Sequence, residues 1–252
     1  MSEQARTAWM SAQQGRREFL ATPAFLPGIF WQRHPRYAGI EFHVLRHGHS
    51  KRRYLFIHGN ERTAHGVLTA HMKSHKGIAH LVTGAERNIR SGGLAFDPNR
   101  IWSRVGAEKN IQTLNPQASP QARELVLKML DKGRSRLIKA ILPPTPGLLV
   151  ALHNNSRGYS VEDEVPISDR VSLNDRANPH EFMLTTTAAD FTVLSKSPFN
   201  VVLQQNAPPE DDGSLSRLAA KQGVRYVNIE AGVGNVIRQE AMLAWLEANL
   251  AE

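Results

Sequence analysis

Apolar positions along the chain fall into two rhythms. Short apolar runs at 38–46 (AGIEFHVLR), 53–58 (RYLFIH), 78–83, 147–153 (GLLVALH), 200–205 (NVVLQQ) and 224–230 (VRYVNIE) read as strands, with 182–186 and 191–194 as weaker strand candidates. Helical periodicity marks 3–20, 62–75, 119–140, 214–222 and 236–250. It is clearest at 119–140, where Leu125, Leu127, Leu130 and Leu137 recur before Pro143 and Pro144 stop the helix. The segment from Arg46 to Ser50 reads as a polar turn between two antiparallel strands. Two stretches resist assignment: 84–120, broken by Gly92, Gly93, Pro98 and Pro116, and the polar loop 154–180. Long loops in a compact domain are usually functional or disordered.

Strands alternating with helices predict an α/β fold. Uninterrupted apolar runs such as LLVALH suit a sheet covered on both faces, so three α/β/α layers around a mixed, mostly parallel sheet are expected. In such sheets ligands gather beyond the carboxyl ends of the strands.

Ionisable residues stand at those ends. His58 closes RYLFIH, His153 closes GLLVALH and Glu230 closes VRYVNIE, while Glu61 follows His58 by three residues. A buried strand has little reason to end in His or Glu unless the group meets water, a partner or a metal. His58, Glu61 and His153 suit one zinc ion, two imidazoles and a carboxylate leaving a fourth position open. Glu230 then suits the general base. With no Cys in the chain, disulfides and thiolate ligands are excluded, which leaves His and carboxylate as the zinc donors.

At this point the chain resembles a known family. His58-Gly59-Asn60-Glu61 resembles the zinc signature of the metallocarboxypeptidase superfamily, which includes the aspartoacylase and succinylglutamate desuccinylase group. Asp97-Pro98-Asn99-Arg100 resembles its D-x-N-R block, Leu152-His153 its second zinc-binding strand, and Glu230-Ala231-Gly232 its catalytic strand end. The blocks occur in the family's order. The resemblance implies one zinc on His58, Glu61 and His153, with Glu230 promoting attack of metal-activated water on an amide carbonyl. It implies that Asn99 and Arg100 grip a substrate carboxylate, a task suited to the guanidinium fork. It also implies an oxyanion-stabilising arginine just before that block, for which Arg90 is the first candidate and Arg87 the second. Tyr159 is the candidate for an assisting tyrosine. One departure is Ala151, where the family more often has an Asp that would orient the zinc-binding His. The chain ends at residue 252, shortly after Glu230, so a single domain over 1–252 without an added C-terminal domain is expected. The cleft should then be more open, favouring a peptide or larger substrate.

The expected activity is therefore carboxypeptidase-like hydrolysis of an amide beside a carboxylate in a small peptide. Removal of an acyl group from an amino acid comes next, and a non-catalytic binding protein on the same fold is a third reading. Arg46-His47-Gly48 also resembles the opening of the histidine phosphatases, but no later block completes that pattern. The net charge of +8 favours anionic partners. Its basic runs, Lys51-Arg52-Arg53 and Lys128 to Lys139, lack interleaved aromatic platforms, which argues against nucleic acid. There is no apolar signal segment and no run long enough to span a membrane, so the cytoplasm is the expected compartment. His65, His71, His75 and His80 read as solvated.

Overall fold

A computed structural model of the chain describes residues 31–155, 158–206 and 210–251. The helix expected at 3–20 lies outside the described residues. The strands are β1 (Trp31–Arg33), β2 (Arg36–Tyr37), β3 (Ile40–His47), β4 (Arg53–Phe56), β5 (Gly77–Val82), β6 (Ile89–Ser91), β7 (Leu94–Phe96), β8 (Leu148–Asn155), β9 (Arg170–Leu173), β10 (Phe182–Thr185), β11 (Asn200–Leu203) and β12 (Arg225–Gly232). The helices are α1 (Arg62–His71), α2 (Arg104–Leu114), α3 (Pro120–Ile141), α4 (Val161–Glu164), α5 (Ala188–Leu194), α6 (Leu215–Gln222) and α7 (Val236–Asn249).

One large mixed sheet runs β1-β3-β5-β4-β8-β12-β10-β11-β9, with β2 on β3. Its centre, β5-β4-β8-β12, is parallel, and antiparallel pairs join it to both flanks. Parallel neighbours need crossovers, and right-handed ones put the helix on a face set by the direction of travel. From β4 to β5 the chain moves one way through α1; from β5 to β8 it moves back through α2 and α3. Helices therefore cover both faces. Helices α1 and α7 pack together over β4, β8 and β12, while α3 packs on α2 and reaches β2 and β4. All eight residues of β8 are buried, as a central strand in a three-layer fold requires.

Local signals set the boundaries. Ser119 accepts a bond from Ala122 N–H with Pro120 in the first turn, starting α3 where the periodicity begins. Its core face is Val126, Leu127, Leu130, Leu137 and Ile141, whereas Leu125 is exposed.

Several expectations are corrected. Residues 191–194 are not a strand. Thr187 accepts from Asp190 N–H and turns this β-prone stretch into α5, with Phe191 and Leu194 inward. The stretch 84–120 holds the β6–β7 hairpin and helix α2, and 154–180 holds α4 and β9. Strands β3 and β4 do not form a hairpin, because β5 inserts between them and pairs with both. His80 is buried on β5 rather than solvated. Among the described residues no helix is long and apolar enough to cross a membrane.

Candidate metal centre and cleft

Strands β4, β8 and β12 run parallel, so their carboxyl ends lie side by side at one edge of the sheet. The chain leaves β4 through His58-Gly59-Asn60-Glu61 and enters α1. Gly59 is needed there: a Cβ would come within 2.5 Å of the Gly84 carbonyl oxygen. Its N–H donates to the Glu86 carbonyl at 3.1 Å, pinning the turn to the segment after β5. Glu61 stands at the N-cap of α1 but makes no capping bond with its side chain. Its buried carboxylate points instead to two imidazoles. Oε1 lies 2.8 Å from His58 Nδ1 and Oε2 lies 3.1 Å from His153 Nδ1. Each of the three residues offers one donor atom within 4.8 Å of the others, so the group could hold a metal ion. Two imidazole nitrogens and one carboxylate form a donor set that suits zinc.

A second carboxylate orients this set. His58 Nε2 is 2.8 Å from Asp97 Oδ1, which directs Nδ1 toward Glu61. Arg87 bridges the two acids, 3.1 Å from Glu61 Oε1 and 3.2 Å from Asp97 Oδ2. Burial pushes the Glu61 carboxyl up, but the imidazoles of His153 and His58 outweigh it and hold it at about 2. Burial pushes His58 down, yet its bonds to Asp97 and Glu61 leave it above the ordinary histidine value. A divalent cation binding Nδ1 therefore competes with a proton.

Glu230 pairs in register with His153 across β12 and β8, which puts both side chains on one face of the sheet. It is buried, and burial, with the Glu61 charge adding, raises its carboxyl above the usual range against the opposing His153 and Asn228. Asn228 donates to its Oε1 at 3.0 Å. A carboxyl raised in this way takes up a proton more readily than an ordinary carboxylate.

These residues open onto a cleft of about 430 Å³. Asn99 and Arg100 line it from the turn after Asp97, whose Oδ1 accepts Asn99 N–H at 2.7 Å. Asn99 Oδ1 in turn accepts Leu215 N–H, and Arg100 lies 3.7 Å from Asp212. Tyr159 also lines the cleft, its ring on Phe182 and its hydroxyl donating to Glu164. Burial pushes that phenol far up. Arg90 is placed elsewhere: it is exposed on β6 and does not line the cleft, whereas Arg87 does. Ala151 is buried on β8, and the orienting carboxylate present here, Asp97, reaches His58 and not His153. Asn154, beside His153, is a further anchor, one to which the sequence alone assigns no role. Its Oδ1 accepts Ala64 N–H at 2.7 Å, fixing β8 to the start of α1. Its place next to His153, where the apolar run ends, was the available signal. His47 ends β3 opposite Gly77 at the start of β5, so it lies at the other end of the sheet from the cleft.

The fold and site thus define an α/β/α protein with a buried His-Glu-His group able to hold a metal. No family model matches the chain, and no curated protein does. Solved structures similar to it include a succinylglutamate desuccinylase of Chromobacterium violaceum, at 13% identity and TM-score 0.44, covering 91% of this chain and 76% of that one. Others are an aspartoacylase family protein of Mesorhizobium loti (15%, TM-score 0.39, 90% and 64%) and a candidate metallopeptidase of Shewanella denitrificans (11%, TM-score 0.42, 87% and 83%).

Proposed function

We propose that the chain is a zinc-dependent hydrolase that cleaves an amide bond next to a substrate carboxylate. The observation that carries this reading is the convergence of His58, Glu61 and His153 at 4.8 Å or less, with the buried carboxylate of Glu230 on the neighbouring strand left outside the trio. Zinc held by the trio supplies Lewis acidity for the reaction. Glu230 takes the proton from water as its oxygen attacks the amide carbon, then delivers a proton to the departing nitrogen as the C–N bond breaks. Of the two oxyanion candidates, Arg87 lines the cleft and Arg90 does not, so Arg87 takes the role of donating to the negative charge that develops on the carbonyl oxygen. Asn99 and Arg100 hold the substrate carboxylate, and Tyr159 flanks it.

A carboxypeptidase-like reaction on small peptides leads, and deacylation of N-acyl amino acids is the second form of the same chemistry. The test is metal analysis of the purified protein combined with Glu230→Gln. The expected result is one zinc per chain in both proteins, with turnover lower by about 10²–10⁴-fold in the variant. A protein that neither carries nor takes up zinc ends this reading. Zinc binding without hydrolysis of any amide would leave a non-catalytic binding protein.

A further inference from the structure

Charge is unevenly distributed along the chain. Between Glu41 and Glu86 the only acid is Glu61, which lines the cleft, against seven Lys and Arg residues. All of these except Arg62 belong to the end of β3, the start of β4 and the link from α1 to β5. Those segments lie at the end of the sheet opposite the cleft. Among the described residues the acid that reaches them is Glu247 of α7, and Arg52, Tyr54 and His71 already hold it.

Two of these cations are set against each other. Arg46 on β3 and Arg53 on β4 are both register partners of Ile78 on β5, so their side chains stand on one face of the sheet. Two strand spacings put their Cα atoms about 10 Å apart. Both guanidiniums bend to the turn between Gly48 and Arg52. Arg46 Nε donates to the Gly48 carbonyl at 3.4 Å, and Arg53 Nη1 donates to the Ser50 and Arg52 carbonyls at 3.4 and 3.2 Å. Among the described residues neither has a carboxylate partner, and these contacts use only part of each five-donor fork. Burial, with the Arg46 charge adding, pulls Arg53 below the usual arginine value. Lys76 brings a third cation, because its stem packs on Gly48, where a Cβ would stand 3.0 Å from its Cγ. The turn itself is fixed. Ser50 Oγ accepts Arg52 N–H at 2.9 Å, and a Cβ on Gly147 would stand 2.4 Å from the Lys51 carbonyl oxygen.

We infer that Arg46 and Arg53, with Lys76, form a binding site for a phosphate monoester at the end of the sheet opposite the cleft. Guanidinium forks pair with phosphate oxygens two at a time. A monoester carries nearly two negative charges near neutral pH and three acceptor oxygens, so one ligand answers both guanidiniums. A carboxylate has one charge and two oxygens, which a single guanidinium satisfies. Gly48, His49 and Lys51 are exposed, which leaves the site open to a free monoester or to one carried on a lipid. Its residues are separate from the His58-Glu61-His153 group, so the site stands whether or not the amide-hydrolase reading does.

Calorimetry would compare glycerol phosphate with acetate on the purified protein and on Arg46→Gln, Arg53→Gln and Arg53→Lys. The expected result is glycerol phosphate bound at least about tenfold tighter than acetate, with affinity at least about tenfold lower in each Gln variant and partly kept in Arg53→Lys. Equal binding of the two ligands by the unaltered protein overturns the site, with no variant needed. His153→Ala separates the cleft, where phosphate is a potential metal ligand. Loss of glycerol phosphate binding in that variant, with both Gln variants unaffected, also overturns the site. Sedimentation with phosphatidylcholine vesicles, with and without phosphatidic acid, then identifies the source of the phosphate. Pelleting that requires both phosphatidic acid and Arg46 supports the site with a lipid headgroup as its ligand. Glycerol phosphate binding without pelleting supports it with a free monoester.

Discussion

Replacing His80 by Leu should remove a specific part of the protein's acid sensitivity. His80 lies on β5, between Val44 of β3 and Leu55 of β4, and is 5% exposed. Its ring meets the Phe42 ring edge-on, and its Nδ1 has no hydrogen-bond partner. Burial, assisted by the Arg53 charge, pushes it from 6.5 to about 4. Between those values the unfolded chain binds the proton and the folded chain does not, so stability rises with pH across that window. The contribution is complete above pH 6.5 and is lost as pH falls toward 4. At 1.36 kcal/mol per unit, the loss from this residue is about 2 kcal/mol at pH 5 and about 3 kcal/mol below pH 4. Urea unfolding of both proteins at pH 8, 6 and 5 isolates it, because all other titrating groups are common to the pair. The gap between the two should close, or reverse, by about 2 kcal/mol from pH 8 to pH 5. If it stays constant, His80 is not held neutral by its surroundings.

Other outcomes follow from the same structure. Asp97→Asn should weaken zinc binding about 10–100-fold in chelator competition, since it replaces the carboxylate that fixes His58; unchanged affinity would remove Asp97 from that task. Arg87→Met should lower kcat/KM by about 10²–10³-fold, while Arg90→Met leaves it within about twofold, and the opposite ranking would return the oxyanion role to Arg90. Gly133→Ala sets a Cβ 2.4 Å from the Ala38 Cα, so α3 must shift from the β2–β3 turn. An overpacking cost of about 1–3 kcal/mol exceeds the helix-propensity gain of about 1 kcal/mol, and calorimetry should show a lower Tm.

What was legible in the sequence has a common physical basis. His58, His153 and Glu230 end long apolar runs, and the end of a buried parallel strand is a defined place before any packing is known. Glu61 was legible because three residues of turn hold it close to His58. Arg87 and Arg90 could not be separated, because Glu86 to Gly93 follows no period and only the folded turn shows which guanidinium reaches Glu61. Composition misled at Phe191–Leu194, where aromatic and β-branched residues suggest a strand and a Thr187 cap decides for helix. Helix α2 was hidden by its polar sequence and by Gly106, a weak helix former. That glycine stays because a Cβ would stand 2.2 Å from the Gly213 Cα, so close approach of two backbones outweighs propensity.

The His58-Glu61-His153 end of the cleft is legible in the sequence, and the end lined by α6 is not, because its parts meet across long loops. Gly213 leads directly into Ser214 and α6, and its carbonyl accepts Trp102 N–H just beyond Arg100. Asn99 bonds Leu215 across 116 residues of sequence. The start of α6, whose Arg217 lines the cleft, is therefore positioned by the same turn that carries Asn99 and Arg100. The residues that could hold a metal stand at or just after strand ends, whereas Asn99, Arg100 and the start of α6 come together only where two distant loops touch. A substitution at Gly106 or Gly213 should then alter preference among substrates before it alters the metal trio, because neither contact involves His58, Glu61 or His153.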